Sequence, residues 1–138
     1  MIIGIGTDIL DNNRVNNVIK KYGDRFKKKC FTNNEINRSE NKFNTINSYA
    51  KRYAAKEACA KALGTGIANG IFWKDIEITN SISGKPNLIL HNKALYRFNL
   101  LSKKECAIEL TISDEKNYSI ANVIIFEKWK TKVTFFLI

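Results

Sequence analysis

Two acidic residues and one lysine stand in a pattern that could bind a metal ion and a phosphate group. Asp8 follows a short apolar run that predicts a strand, and Glu57 and Lys61 lie four residues apart in an alanine-rich segment. Mg²⁺ typically takes one or two protein carboxylates and fills its other positions with water and phosphate oxygens. On a helix, Tyr53, Glu57 and Lys61 would share one stripe, so a metal ligand and a phosphate-binding ammonium would face one cavity. An exposed ion pair between Glu57 and Lys61 is the structural alternative, and spacing alone favours it.

Hydrophobic periodicity predicts the elements that must position these residues. Residues 2–6 predict a short buried strand, whose glycines suggest close approach of another backbone. Apolar residues at helical spacing predict an amphipathic helix over residues 12–22. Thr32 and Glu35 fit a capping box that begins a short helix. Residues 48–63 predict the strongest helix of the chain, because they are rich in Ala, Lys and Glu and end at a glycine.

The second half of the chain changes to the period-two alternation of strands. Residues 75–78 and 87–90 predict a β-hairpin, and residues 94–101 predict one more helix. Strands follow at residues 106–112 and 118–126, the last apolar enough to be buried on both faces. The order β-α-α-α-β-β-α-β-β predicts an α+β fold with helices packed on an antiparallel sheet.

The chain has 138 residues and a net charge of +10, which suits a single globular domain with an anionic partner. The excess is local, since residues 14–61 hold thirteen Lys or Arg against four Asp or Glu. A solubilising face would give the same pattern, and so would a small nucleic-acid-binding domain. We expect no nucleic-acid partner, because lysines dominate over the bidentate arginines and the aromatic residues are scattered among predicted core positions.

Other classes of site and location are disfavoured by what the sequence contains. Its three cysteines are widely spaced, which suits neither a disulfide framework nor a zinc site. The single histidine, His91, cannot complete a Ser-His-Asp or Cys-His arrangement. No apolar run approaches the roughly 20 residues of a membrane-spanning helix, so we expect no membrane partner and a cytoplasmic location.

Several short motifs follow one another along the chain. The most specific is an aromatic-x-x-Lys-Glu-Ala-x-x-Lys-Ala-x-Gly pattern, which the sequence contains as YAAKEACAKALG at residues 53–64. The others are GIGTDI at residues 4–9, Arg14-Val15, Arg25-Phe26, Cys30-Phe31-Thr32 with Glu35, DIEI at residues 75–78, Gly84-Lys85-Pro86 and LTIS at residues 110–113. In this order they resemble the holo-acyl-carrier-protein synthases, the short bacterial family of 4′-phosphopantetheinyl transferases.

The resemblance implies a fold, an activity and an assembly. It implies the α+β fold of 4′-phosphopantetheinyl transferases and a homotrimer with active sites at subunit interfaces. It implies transfer of 4′-phosphopantetheine from coenzyme A to a serine of apo acyl carrier protein, with release of adenosine 3′,5′-bisphosphate, in support of fatty acid biosynthesis. Asp8, Glu57 and Lys61 would be the catalytic residues, with Mg²⁺ held by Asp8 and Glu57.

The resemblance also implies binding residues for the two substrates. Lys61 would hold the diphosphate of coenzyme A, and the residues that contact the coenzyme would be Lys61, Gly64, Thr65, Gly66, Arg52, Lys51 and Lys42. The first helix would dock the acidic carrier protein through a basic face with apolar anchors, formed by Arg14, Val18, Lys21, Tyr22, Arg25 and Phe26. For Val18 and Tyr22, burial in the core is the alternative.

Two features depart from the family pattern. Asp114 stands where many members have a histidine, so a histidine contact to coenzyme A is not possible there. A protein that binds coenzyme A without catalysis is therefore a further alternative. Residues 128–138 extend past the usual end of the family, and we expect one transferase domain over residues 1–127 followed by an extension without an assigned role.

Overall fold

A computed structural model describes residues 1–129, in which five α-helices and five β-strands follow one another. The expected extension at residues 128–138 lies almost wholly outside this range. The elements are β1 (Ile2–Asp11), α1 (Asn12–Tyr22), α2 (Asp24–Cys30), α3 (Asn33–Glu40), α4 (Thr45–Ala62), β2 (Ile76–Asn80), β3 (Pro86–Leu90), α5 (Asn92–Asn99), β4 (Cys106–Asp114) and β5 (Tyr118–Glu127).

The strands form two antiparallel sheets, one of three strands in the order β1-β5-β4 and one from the hairpin β2-β3. Helix α4 packs across β1 and β5 and provides most of the contact between helices and sheet. Two glycines of β1 allow this close approach, since a Cβ atom on Gly6 would collide with the backbone of Ala58 and one on Gly4 with that of Ala62. The α+β fold and the close approach at the glycines are confirmed.

One face of the three-stranded sheet is not covered by helices. Burial along β5 alternates, although its apolar sequence predicted burial on both faces. Ile5 and Ile9 on β1 are 61% and 66% exposed, and Ile124, which pairs with Ile5 across the ladder, is also exposed. The prediction was wrong because α4 covers only the opposite face of this sheet. Val123 and Ile125 on that face are fully buried.

The end of β1 and the presence of α2 also differ from the prediction. Strand β1 continues to Asp11, so Asp8 lies inside the strand and not at its end. Its polar side chain fits there because a lysine pairs with it, as described below. Helix α2 was not predicted, because in seven residues only Phe26 and Cys30 turn toward the core and the rest are mainly charged.

A buried ion pair fixes the position of α4. Lys56 and Glu35 are both fully buried, with 2.8 Å between Nζ and Oε2. Glu35 also accepts from the backbone N–H of Thr32, which confirms the predicted capping box, and from that of Ile78 on β2. The Lys56 ammonium further donates to the backbone carbonyls of Trp73 and Ile76. One pair of charges thus joins α3, α4 and the hairpin.

Candidate active site

The centre of the candidate site is an ion pair between α4 and β1. Lys61 Nζ lies 2.9 Å from Asp8 Oδ1 and donates a second hydrogen bond, 2.8 Å long, to the carbonyl oxygen of Thr7. The alternative pair of Lys61 with Glu57 on the same helix is not formed. Since the Asp8 side chain is mostly buried while half of the Lys61 side chain is exposed, the ammonium can reach a ligand in solvent.

Glu57 lies one helical turn before Lys61 and faces the same site. Burial raises the pKa of Glu57, the negative charge of Asp8 raises it further, and Lys61 opposes both effects. The negative charge of Asp8 on β1 therefore acts on the Glu57 carboxylate on α4, which sequence spacing could not establish.

The donor set at this point fits a magnesium ion that shares its coordination with a phosphate. Among residues 1–129, no group of three or more His, Cys, Asp or Glu side chains is arranged to hold a metal. Mg²⁺ does not need such a group, because it is usually bound through one or two carboxylates plus water and substrate oxygens. Asp8 and Glu57 could provide those two carboxylates.

Tyr53, the third member of the predicted stripe, forms an aromatic wall beside the carboxylates. Its ring stacks on Trp73 with centroids 4.4 Å apart, and Phe26 packs against it from the other direction. Burial and the charge of Glu57 raise the pKa of Tyr53 to about 12, and the charge of Arg14 opposes them. The beginning of α1 therefore adjoins the candidate site.

The expected coenzyme contacts fall into two regions of the chain. Lys42, Lys51 and Arg52 line a cavity of about 620 Å³ beside the N-terminal half of α4. Gly64 and Thr65 follow the other end of α4 and line a cavity of about 480 Å³, together with Lys93 and Arg97. Gly66 adopts a left-handed backbone conformation, φ +62°, in the same loop.

The larger cavity contains a buried cation that forms no ion pair with the described residues. Arg52 is only 5% exposed, and burial lowers its pKa. Its guanidinium donates to Ser48 and Asn80, while its Nε has no hydrogen-bond partner within residues 1–129. No carboxylate of the described chain forms an ion pair with it. The cavity is therefore suited to an anion.

Sequence reasoning did not find several residues that line this cavity. Arg38 comes from α3, Phe43 from the connection to α4, and Asn80 from the end of β2. No local motif distinguishes them, since they meet only when α3, α4 and the hairpin pack together.

The residues proposed for docking lie along α1 and the start of α2. Arg14, Lys21 and Arg25 are exposed, and Tyr22 is 50% exposed, so the alternative that Tyr22 is a core residue is wrong. Val18 is half-buried. Phe26 is also half-buried, and it packs on the core rings of Phe31 and Tyr53.

Comparison with known proteins agrees with this geometry. The model of the 4′-phosphopantetheinyl transferase superfamily matches residues 4–123. The holo-[acyl-carrier-protein] synthase of Agrobacterium fabrum is 49% identical over 127 residues, covering 91% of this chain and 95% of that protein.

Solved structures give the same result. The holo-[acyl-carrier-protein] synthase of Neisseria meningitidis has a TM-score of 0.81 at 35% identity, covering 92% of this chain and 100% of that chain. The enzyme of Bacillus anthracis in complex with CoA (3′,5′-ADP) has a TM-score of 0.75 at 34% identity, covering 93% and 99%. In this chain the two carboxylates and the lysine lie on β1 and α4. The chain belongs to the holo-[acyl-carrier-protein] synthase family of the 4′-phosphopantetheinyl transferase superfamily and is a transferase.

Proposed function

We propose that the protein transfers 4′-phosphopantetheine from coenzyme A to a serine of apo acyl carrier protein and releases adenosine 3′,5′-bisphosphate. The observation that carries this proposal is the convergence of Asp8, Glu57 and Lys61 from two elements at one site. The names of the family relatives support the same substrates.

The proposed reaction is a phosphoryl transfer, in which charge on the phosphate oxygens must be stabilised. The serine oxygen forms a bond to the β-phosphorus, the bond from that phosphorus to the bridging oxygen breaks, and the serine proton passes to a base. Lys61 would bind the diphosphate with its half-exposed ammonium. Asp8 and Glu57 would hold Mg²⁺, which when bound neutralises charge on the diphosphate.

We assign the cavity around Arg52 to the 3′-phosphoadenosine end of coenzyme A. The support is a buried guanidinium that forms no ion pair within residues 1–129, with Arg38, Lys42 and Lys51 lining the same cavity. A phosphate in the cavity would supply the missing negative charge and accept charge-assisted hydrogen bonds.

We further propose that copies of the chain associate as a homotrimer and that a neighbouring copy completes the site. Arg52 and Lys61 are nine residues apart on α4, or roughly 14 Å along the helix axis, and the cavity and the carboxylates are separate regions of one chain. The exposed apolar face of Ile5, Ile9 and Ile124 supports association. Light scattering should give a trimer for the native chain, and Ile124→Lys should shift it to monomer. A monomeric native chain would contradict this part.

The same proposal includes docking of the acidic carrier protein on the basic face of α1, through Arg14, Lys21, Tyr22 and Arg25 with Val18 and Phe26 beside them. Dependence on Mg²⁺, a role in fatty acid biosynthesis, a cytoplasmic location, and the division into a domain at residues 1–127 and an extension at 128–138 stay predictions. No described helix has the length and apolar character needed to cross a membrane.

The mass of the carrier protein tests the proposed function. The protein is incubated with coenzyme A, Mg²⁺ and apo acyl carrier protein, and the carrier is then weighed by mass spectrometry. A gain of one phosphopantetheine on the serine, with one adenosine 3′,5′-bisphosphate released for each carrier modified, is the expected result. Binding of coenzyme A with no mass gain would instead indicate a non-catalytic coenzyme-binding protein.

A further inference from the structure

One carboxylate lies among the cations of the larger cavity. Asp114, the last residue of β4, lines it together with Arg38, Lys42, Lys51 and Arg52. Asp114 Oδ1 is 3.3 Å from Lys51 Nζ, and both side chains are about one-third exposed. Within residues 1–129, it is the only acidic side chain lining this cavity.

The position of Asp114 is fixed by a chain of polar contacts. Its Oδ2 accepts a hydrogen bond from Asn47 Nδ2 at 3.4 Å. Asn47 in turn accepts from Asn12 Nδ2, and Asn12 accepts from the hydroxyl of Ser119, which pairs with Asp114 across the β4–β5 ladder. Asn47 on α4 thus contacts the carboxylate independently of Lys51, and Asn12 on α1 and Ser119 on β5 support Asn47 in turn.

We propose that Asp114 is an internal counter-anion of the cavity. It pairs with Lys51 when no nucleotide is bound, and Lys51 pairs with the phosphate instead when a nucleotide binds. This inference rests on the proposed function, because it takes the ligand to be the 3′-phosphate of coenzyme A or of the product. Asp114 then limits the affinity of the cavity for coenzyme A and for the nucleotide product. A limit on affinity matters for a transferase, since the nucleotide product must leave before the next turnover.

The effect follows from the charges that meet in the cavity. When a phosphate binds Lys51, Asp114 remains nearby and repels the phosphate, and the repulsion is only partly screened because both side chains are about one-third exposed. Asp114→Asn keeps the size of the side chain and its ability to accept from Asn47, but removes both the repulsion and the competition for Lys51.

Calorimetric titration of the full-length protein with adenosine 3′,5′-bisphosphate tests the inference. Asp114→Asn is expected to bind this ligand about three- to tenfold more tightly than the native chain at low salt, with a smaller difference in 0.5 M salt or so. Adenosine 5′-monophosphate, which lacks the 3′-phosphate, should bind both proteins alike. Glu109→Gln is the matched control, because Glu109 lies on the same strand, pairs with Lys85 at 2.9 Å and does not line the cavity.

Each other outcome overturns the inference in a recognisable way. Weaker binding of both nucleotides by Asp114→Asn would mean that the carboxylate contacts the ligand directly. Equal tightening for both would mean that it does not act on the 3′-phosphate. If the native chain binds adenosine 3′,5′-bisphosphate but the variant is unchanged, the inference alone fails. If the native chain does not bind it at all, the assignment of the cavity fails as well.

Discussion

Lys61 Nζ lies 2.9 Å from Asp8 Oδ1, although the two residues are 53 positions apart in the chain. The contact joins the C-terminal end of α4 to the middle of β1. It also leaves Glu57 without the helical ion pair that its spacing from Lys61 would allow. The site therefore combines the carboxylate of Glu57, the ion pair of Lys61 with Asp8, and access from solvent to the half-exposed Lys61 side chain.

Replacing Glu57 by Gln is expected to stabilise the folded protein at neutral pH. Burial and the charge of Asp8 raise the pKa of Glu57 in the folded state, so the folded protein binds that proton more tightly than the unfolded chain does. Native stability should therefore fall as pH rises from the usual glutamate pKa through the raised value, and then level off. Glu57→Gln lacks this decrease.

Thermal unfolding between pH 4 and pH 8 or so measures this effect. Glu57→Gln should unfold about 2 °C above the native chain at neutral pH, and the gap should close toward acid. Glu109→Gln, on the exposed face of β4, is the control and should not alter the shape of the curve. A Glu57→Gln protein that is less stable than the native chain at neutral pH contradicts this account of the site.

Replacing Lys56 by Met should destabilise the protein strongly. The change leaves the carboxylate of Glu35 buried without its cation, and breaking one side of a buried pair typically costs about 3 to 5 kcal/mol. Denaturant unfolding measures the loss. Lys85→Met, which breaks the exposed pair with Glu109, should change stability by about 0.5 kcal/mol or less. Similar losses for both variants would show that the buried pair has no special role.

Replacing Gly6 by Ala should disturb the contact between β1 and α4. The new Cβ would collide with the backbone of Ala58, so the strand that contains Asp8 must move away from the helix that contains Glu57. We expect a lower unfolding temperature together with loss of transfer activity in the fraction that folds. Gly66→Ala is the comparison for stability alone, because its Cβ meets no atom within 4 Å and it should cost only about 1 kcal/mol for its left-handed backbone. An equal loss of stability in the two variants would argue against the close approach.

Charge reversal at Arg14 and Arg25 should weaken use of the carrier protein without weakening use of coenzyme A. Both side chains are exposed on the basic face beside the site, and acyl carrier proteins are acidic. The KM for carrier protein should rise about tenfold or more, while the KM for coenzyme A stays nearly constant. Lys103→Glu, on an exposed loop, changes the net charge as much as either single reversal does and should have little effect. Equal increases of the two KM values would mean that the docking surface lies elsewhere.

Local signals in the sequence predicted much of the fold. The bounds of α1 were predicted as observed, from helical spacing and the glycine that follows, and the capping box of Glu35 was predicted from Thr32. Helix α4 begins three residues earlier than predicted, with Asn44 as its N-cap. Helical spacing, helix caps and capping boxes depend on residues that are neighbours in the sequence, so they can be predicted from a single sequence.

The candidate site was harder to predict because it depends on contacts between distant segments. Spacing suggested that Glu57 and Lys61 share a helix face, but only the packing of β1 on α4 brings Asp8 to them. The ion pair of Lys51 with Asp114 joins a helix to the end of a strand, and no sequence motif predicts it. Its place after a predicted strand made Asp8 a candidate and the motifs of the family supported it, but sequence distance could not show that Asp8 meets Glu57.

The most direct test of the account compares the native chain with Glu57→Gln in the transfer reaction. Both are incubated with coenzyme A, Mg²⁺ and apo acyl carrier protein, and the mass of the carrier is followed with time. We expect rapid conversion to the phosphopantetheinylated carrier by the native chain. For Glu57→Gln we expect a rate at least about a hundredfold lower, despite its higher expected unfolding temperature. Conversion by Glu57→Gln at the native rate would contradict the proposed catalytic role of Glu57.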